Sequence, residues 1–537
     1  MSSVLILGAG VMQGPAIQAA QKMGYRAVVA DGNNKAPLID RADQFLHIDL
    51  VDYTSLITAA SRLEDLRGVI TAGTDFSFSV AKVAEALGLP GISPDAALRA
   101  SDKAYMRKTL QAAGIPVPAF ISGCHTDNPV ILLQQLQAEK AAQGTAKLYP
   151  LVVKPVDNMG GRGCRLVASD SELLAAWLDA LEHSRTKQVI IEDYIEGPEF
   201  SIDALVHEGR MVLRGIADRH IYFQPYFIEM GHTIPSQYSP EILAEIMEVF
   251  TRAAAALGIT RGAAKGDMKY TSHGPVVGEI AARLSGGYMS GWTYPLSSGI
   301  NPIEDALAIA CGLPPLFPEQ TRNLVCAERA FISIDGTVAS VHAIPQTSDE
   351  SEGVRNLFMR CSAGSKVQFP LNNVQKCGNI LAVASDANKA SAIAEQAARK
   401  ILVRLQSHNP ETDNFLAAYN APPIPGISYD WPPRAYPNIS AMTLGLVAAM
   451  PDLMRQEATP RTLSVAPLKS LASEQDHDWQ GRSLEEALAA VQTLCAVKYT
   501  VEADVVLGRC FWQALFNGGY QAAAYIVDCT KKEYGIA

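Results

Sequence analysis

Val152-Val153-Lys154-Pro155-Val156-Asp157-Asn158-Met159-Gly160-Gly161-Arg162-Gly163-Cys164-Arg165-Leu166-Val167 is the stretch on which the fold turns. A short apolar run ends in a lysine, a glycine-rich loop follows, and a second strand-like run returns. That pattern predicts a hairpin lid. Loop amides could cover β- and γ-phosphates, with Lys154 as a point charge. No Gly-Lys-Ser/Thr follows, and the flanking element is a strand, so it is not a Walker A loop. A plain glycine-rich hairpin with an exposed lysine is the alternative.

Two further segments carry matching chemistry. Ile190-Ile191-Glu192-Asp193-Tyr194-Ile195-Glu196-Gly197-Pro198-Glu199 runs from a strand into a turn. Its backbone could read an adenine edge, and Glu199 could accept from ribose hydroxyls; a solvated acidic turn is the alternative. Farther on, Gly266–Tyr270 and Val276–Ala281 read as strands joined at His273-Gly274-Pro275. Asp267 and Glu279 would face each other across this hairpin and could hold Mg²⁺, which takes one or two carboxylates plus phosphate oxygens. Arg283 and Ser285-Gly286-Gly287 follow, a guanidinium and glycine amides suited to a carboxylate or acyl phosphate.

Toward the N-terminus, Val4–Leu7 is an apolar run that reads as a buried parallel strand. Gly8-Ala9-Gly10-Val11-Met12-Gln13-Gly14 follows, and a second strand, Arg26–Ala30, ends at Asp31. This resembles a dinucleotide fingerprint, with its last glycine one residue late. A βα turn without nucleotide is an equal reading, and an NAD(P)-dependent oxidoreductase is the rival function it raises. The βαβ alternation predicts a doubly wound α/β domain over about residues 1–100. Ser93-Pro94 and Ser101-Asp102-Lys103 open helices, the second stopping near Gly114.

From residue 148 the pattern is strand-rich, and an α+β stretch covers about 325–407, closed by an expected helix over Lys389–Leu405. Ala421–Pro437 holds prolines 422, 423, 425, 432, 433 and 437 and reads as a linker. The last hundred residues look helical, with a capping box at Ser483-Leu484-Glu485-Glu486.

Composition bounds the function classes. The chain has 537 residues, 45 Lys+Arg against 55 Asp+Glu, 48% hydrophobic and 19% charged residues. That length allows about three to four domains and excludes a disordered chain. A net charge of −10 argues against a general nucleic-acid binder. Nine cysteines without a C-x-x-C pair read as reduced thiols rather than a disulfide or zinc framework. No apolar run reaches the roughly 18 residues needed to span a bilayer, and Met1-Ser2-Ser3 opens no signal peptide. A cytoplasmic protein with no membrane or nucleic-acid partner is expected.

Together, Lys103, Lys154 with its glycine loop, the 192–199 segment and Asp267/Glu279/Arg283 resemble the ATP-grasp superfamily over about residues 1–407. The closer similarity is to carboxylate–amine ligases of the L-amino acid ligase kind. The resemblance implies an α/β and α+β multidomain chain: a doubly wound pre-grasp domain (1–100), an ATP-grasp core (101–320, lid about 115–195), an α+β part (321–407), a Pro-rich linker (408–437) and a helical extension (438–537). It implies ATP and Mg²⁺ as cofactors, and a small-molecule carboxylate and an amine as substrates. Lys103 and Lys154 would contact phosphates, and Gly160, Gly161 and Gly163 would belong to the lid. Glu192, Asp193 and Ile195 would line the adenine, with Glu199 on the ribose. Asp267 and Glu279 would be the metal ligands. Arg283 with Gly286 and Gly287 would stabilise the acyl-phosphate chemistry alongside Lys154. Tyr226–His232 is similar to a substrate-pocket segment of amino-acid ligases, which implies roles for Glu229 and His232.

Two positions depart from the family pattern. Ala281 stands where many relatives have Asp or Asn, and Asp267 where Glu is common. They imply a looser second magnesium or a lower activity, and they keep open a decayed nucleotide-binding module. The extension resembles nothing in the family; an oligomerisation module, as in a homodimer, or a cap over the site are its two expected roles.

Overall fold

The computed structural model describes residues 1–142, 144, 147–348, 352–420, 431–456, 462–468, 470–471, 475–496 and 504–535. Most of the proline-rich stretch, 421–430, lies outside the described residues. The chain divides into two compact units, residues 1–328 with 383–390, and 329–382 with 391–537.

The first unit opens with a parallel sheet of β1 (Ser3–Leu7), β2 (Arg26–Asp31), β3 (Gln44–His47) and β4 (Leu66–Ile70), in the order β3-β2-β1-β4. All of β1 is buried. Val4 and Ile6 pack with Ala16, Ile17 and Ala20, whereas Leu5 and Leu7 pack with Leu56 and Val83. A strand covered by helices on both faces explains the unbroken apolar run.

Next comes a four-stranded antiparallel sheet of β5 (Phe120–Cys124), β6 (Leu151–Pro155), β7 (Arg165–Val167) and β8 (Gln188–Asp193), ordered β5-β8-β6-β7. β6 and β7 form the hairpin around the glycine loop, with Val153 opposite Arg165. Leu151, Val153, Val189 and Ile191 face a core built with Leu133, Leu136 and Trp177 from helices Pro129–Ala142 and Asp170–His183. The period-two rule therefore turns Lys154 and Glu192 to the other face.

β9 (Glu199–His207), β10 (Arg210–Tyr222), β11 (Ile228–Ile234), β12 (Gly262–Thr271) and β13 (Gly274–Ala281) run side by side as β13-β12-β9-β10-β11. Phe200, Ile202, Ala204 and Val206 of β9, with Met268 and Ile280, pack against Ile246, Val249 and Phe250 of helix Pro240–Ala256. The intervening residues Glu199, Asp203, Lys265, Asp267 and Lys269 are set on the opposite face by alternation.

One local feature places Glu279 on that face. The β12–β13 register shifts between Asp267, opposite Glu279, and Met268, opposite Val277, leaving Gly278 as the extra residue of a bulge. Val277 and Ile280 both enter the core. Without the bulge, Glu279 would share the face of Val277 and be buried among hydrocarbon. A Cβ at Gly278 would lie 2.9 Å from the Asp267 carbonyl oxygen, so a side chain there would collide with the partner strand.

In the second unit, Gly336–His342 pairs antiparallel with Leu402–Leu405. The expected helix over 389–405 therefore stops at Lys400, and its last residues form a strand. Leu402, Val403 and Leu405 are buried, a fit to a covered strand rather than to a helix with one apolar stripe. Beside the expected helices Ala441–Ala448, Leu484–Cys495 and Arg509–Glu533, the extension contains a small sheet. Its strands are Leu453–Gln456, Asp504–Leu507 and Leu463–Val465. Val491, Leu507, Phe511, Trp512 and Phe516 share its core. Ser483 and Glu486 form the capping box.

Candidate active site

Lys103 opens helix Lys103–Ala112, whose N-cap Asp102 accepts from the Tyr105 amide. Its backbone N–H donates to the Val156 carbonyl at 2.9 Å, which ties the helix start to the end of β6. Its ammonium is buried and lies 3.1 Å from Glu279 Oε1, donating also to the Asn158 carbonyl at 2.8 Å. Burial alone would push this lysine down; Glu279 and Asp75 outweigh burial and hold its pKa above the ordinary value. Burial likewise opposes ionisation of Glu279, yet Lys103, Lys265 and Lys154 hold its pKa far below the carboxylate range.

Lys154 Nζ lies 2.5 Å from Glu192 Oε2, and the other carboxylate oxygen accepts from Arg107 Nε at 2.7 Å. Glu192 is buried; its two cations overcome the burial cost and lower its pKa. The Glu192 side chain is thus held between two strands and a helix. From there the segment continues through Asp193, paired with Lys140 at 2.6 Å, to Ile195, whose carbonyl accepts from Lys269 at 2.9 Å. Lys269 also sits 4.8 Å from the centre of the Tyr194 ring and 3.6 Å from Glu199.

The lid glycines Gly160, Gly161 and Gly163 all have positive φ. At Gly163 a Cβ would also come within 2.9 Å of His183 Cβ, so that turn admits no side chain.

Asp267 and Glu279 are direct cross-strand partners. Asp267 pairs with Lys265 and, at 3.2 Å, with Arg219. Arg219 also reaches Glu199 at 2.5 Å and Glu229 at 3.0 Å. It links the carboxylates expected at the ribose, the metal and the substrate. Asp267 Oδ1 is buried without a hydrogen bond among the described residues, and two facing carboxylates match the donor set of a magnesium ion that also takes phosphate oxygens. Among the described residues no group of three or more His, Cys, Asp or Glu could hold a metal by itself.

Arg283 is buried, donates to the Leu284 carbonyl at 3.1 Å, and lies 3.9 Å from Asp75. Its Nε has no hydrogen-bond partner among the described residues. Burial raises the Asp75 pKa, against the pull of Arg283. The turn after Arg283 is fixed from behind. Asp203, wholly buried on β9, accepts from the Ser285 amide at 2.8 Å and from the Ser290 hydroxyl at 2.6 Å. A Cβ on Gly286 would meet the Gly73 carbonyl at 3.1 Å, and one on Gly287 would stand 4.0 Å from Glu229 Oε1. Gly286 and Gly287 are therefore brought between the loop after β4 and the Glu229 carboxylate.

His232 is set differently from Glu229. It is buried, its Nε2 is 2.7 Å from Thr293 Oγ1, and its Nδ1 is 3.3 Å from Glu328. Both ring nitrogens have protein partners.

The N-terminal glycine turn does not present a dinucleotide site. The Gly10 amide donates to the Gln13 side chain at 3.0 Å, and the Ala9 amide to Asp31 at 2.8 Å. A Cβ at Gly8 would strike Gln13 at 2.8 Å. The amides that would cradle a pyrophosphate already have partners, one of them the acid that would take a ribose. This removes the support for the oxidoreductase alternative.

Asp75, Arg107, Arg219, Lys265 and Lys269 were not among the expected site residues. Arg107 carried a signal: with Lys103, Met106 and Leu110 it lies on the buried stripe of its helix, where a charge needs a partner.

Two family models match the chain: "ATP-grasp domain" over residues 147–291 and "L-amino acid ligase C-terminal domain 2" over 330–406. Uncharacterized protein y4rH of Sinorhizobium fredii is 25% identical over 362 residues, covering 66% of this chain and 72% of that protein. Carnosine synthase 1 of Mus musculus is 23% identical over 405 residues, covering 70% of this chain and 48% of that protein. The chain thus spans about half the length of that synthase. The crystal structure of L-amino acid ligase from Bacillus licheniformis aligns with a TM-score of 0.63 at 22% identity, over 76% of this chain and 99% of that one. The chain thus carries an ATP-grasp domain followed by a match to the C-terminal domain 2 of L-amino acid ligases.

Proposed function

We propose that the chain is an ATP-dependent, ADP-forming ligase that activates a carboxylate as an acyl phosphate and couples it to an amine, with an amino acid as the amine. The observation that carries this is the cross-strand pair Asp267–Glu279 standing beside Lys103, with Lys154 close enough to depress the same Glu279. Acidic and basic groups packed this closely suit a polyphosphate with its counter-ion. An oxidoreductase gives them no role.

A carboxylate resists nucleophiles because of its charge and resonance. In the proposed sequence its oxygen attacks the γ-phosphorus, the bond to the bridging oxygen breaks, and ADP leaves. The amine then attacks the acyl carbon, inorganic phosphate departs, and the amine loses a proton. Lys103 and Lys154 balance phosphate charge through both steps. Asp267 and Glu279 would hold Mg²⁺, which when bound neutralises charge on phosphate oxygens. Arg283, with an Nε that makes no hydrogen bond among the described residues, supplies a donor for the acyl phosphate, and the glycine turn at Gly286-Gly287 leaves room for the acyl group. The backbone of 192–195 lines the adenine, Glu199 takes the ribose, and Glu229 with His232 belongs to the substrate pocket. The lid glycines close over the phosphates and exclude water, which would hydrolyse the intermediate.

All nine cysteines are free thiols, as the cytoplasm would keep them, and no helix among the described residues is long and apolar enough to cross a membrane. We place the enzyme in the cytoplasm, with small-molecule substrates.

A screen of amino acids and small carboxylates for phosphate release tests this. ADP and phosphate should form together, and only when an acid and an amine are both present. AMP and pyrophosphate as products would contradict it. ATP binding with no turnover across the screen would leave a decayed module in its place.

A further inference from the structure

We infer that the second unit holds a small-molecule site separate from the nucleotide chemistry: a pocket for a small organic anion with an apolar body. It is a cavity of about 550 Å³, inside the range of roughly 300–1,000 Å³ usual for small-ligand sites. Leu402, Ala490, Leu494 and Tyr520 form its apolar walls. Residues 330–406 and the extension both contribute, so the extension completes a site that the ligase-type domain would leave open.

Charge decides the class of ligand. Four cationic side chains line the cavity, Arg399, Lys400, Arg404 and Arg482, against one acid, Glu486. Two of the four are already neutralised. Arg404 grips Asp528 with both Nε and Nη2. Arg482 donates to the carbonyls of Arg399 and Ile401 at the end of the helix that stops at Lys400, lies 3.6 Å from Asp478, and stacks 5.0 Å from the centre of the Tyr520 ring. Its charge is used in capping the helix.

The other two are not matched. Among the described residues the Arg399 guanidinium has one ion partner, Glu486 at 3.7 Å, and its Nε is buried without a hydrogen bond. Lys400 has no ion-pair partner among the described residues. A buried guanidinium N–H lacking an acceptor is costly, and an anionic head group would satisfy it. The apolar walls then require a body, which a bare phosphate lacks. A carboxylate or sulfonate on an aliphatic or aromatic group meets both demands.

The test uses the full chain and 8-anilinonaphthalene-1-sulfonate, an aromatic sulfonate whose fluorescence reports an apolar pocket. Arg399→Gln with Lys400→Gln removes the two unmatched charges, one from a partly exposed and one from an exposed position. The pair is expected to weaken binding about tenfold or more, the loss of one or two charge-assisted hydrogen bonds. Ala490→Glu, which sets a carboxylate on the wall, should weaken it similarly, and gives a second reading if the double variant is unstable. Octanoate should displace the probe, and inorganic phosphate at the same concentration should not. Unchanged probe affinity in folded variants would place the probe elsewhere and overturn the inference. Equal displacement by phosphate would reduce the site to a bare anion cluster and overturn it too. Neither result bears on ligase turnover, so this inference and the proposed function fail separately.

Discussion

Replacing Glu279 by glutamine is expected to lower turnover by about three orders of magnitude while the chain stays folded. The amide matches the carboxylate in size and can still accept from Lys103, so packing around the bulge at Gly278 is kept. What disappears is the negative charge that faces Asp267 and stands beside Lys103. Phosphate release measures the loss, and a circular-dichroism melt checks the fold. Because the folded Glu279 pKa is depressed, its ionisation stabilises the fold above the ordinary carboxylate range. That contribution fades as pH falls toward the depressed folded value. The stability gap between wild type and Glu279→Gln should therefore be widest near neutrality and shrink in acid. Wild-type turnover in the variant would remove Glu279 from the metal and phosphate site.

Arg107→Met should act on stability. Arg107 is buried, pairs with Glu192 at 2.7 Å and donates to the Gly278 carbonyl at 2.6 Å. One guanidinium thus joins the strand that carries Glu192 to the bulge that orients Glu279. Methionine fills similar volume but leaves Glu192 with Lys154 alone and the Gly278 carbonyl without this donor. Breaking a buried ion pair from one side costs about 3–5 kcal/mol. Urea unfolding would read this as a lower midpoint. The depressed Glu192 pKa gives the same pH sign, a cost largest near neutrality and smaller in acid. Arg107→Lys should recover part of the loss, since one donor remains. A cost below about 1 kcal/mol, the size of an exposed pair, would show that the guanidinium is not holding these strands together.

The local parts of the site could be read from sequence because each is set by neighbours in the chain. The turn after Thr271 fixes the register from Thr271 to Met268, one residue short of facing Asp267 to Glu279, and the apolar run before Lys154 fixes which side of the hairpin it takes. Contacts made at a distance could not be read this way. Arg219 touches Glu199, Glu229 and Asp267 only once four strands lie side by side, and Asp75 reaches Arg283 from the loop after β4. Gly278 was visible as a strand glycine, the usual mark of a bulge, although its effect on Glu279 depends on which neighbours enter the core. Leu402–Leu405 reads from sequence as the end of a helix because a short apolar run has no period to separate helix from strand. Its pairing with Gly336–His342 decided it.

The central claim is an acyl-phosphate intermediate made from ATP. Its most direct test is oxygen transfer: a substrate acid labelled with ¹⁸O in its carboxylate, turned over with ATP and the amine. An acyl phosphate passes one carboxylate oxygen to phosphorus, so the inorganic phosphate released should carry ¹⁸O alongside unlabelled ADP. Phosphate free of label, or label appearing in AMP, would contradict the account.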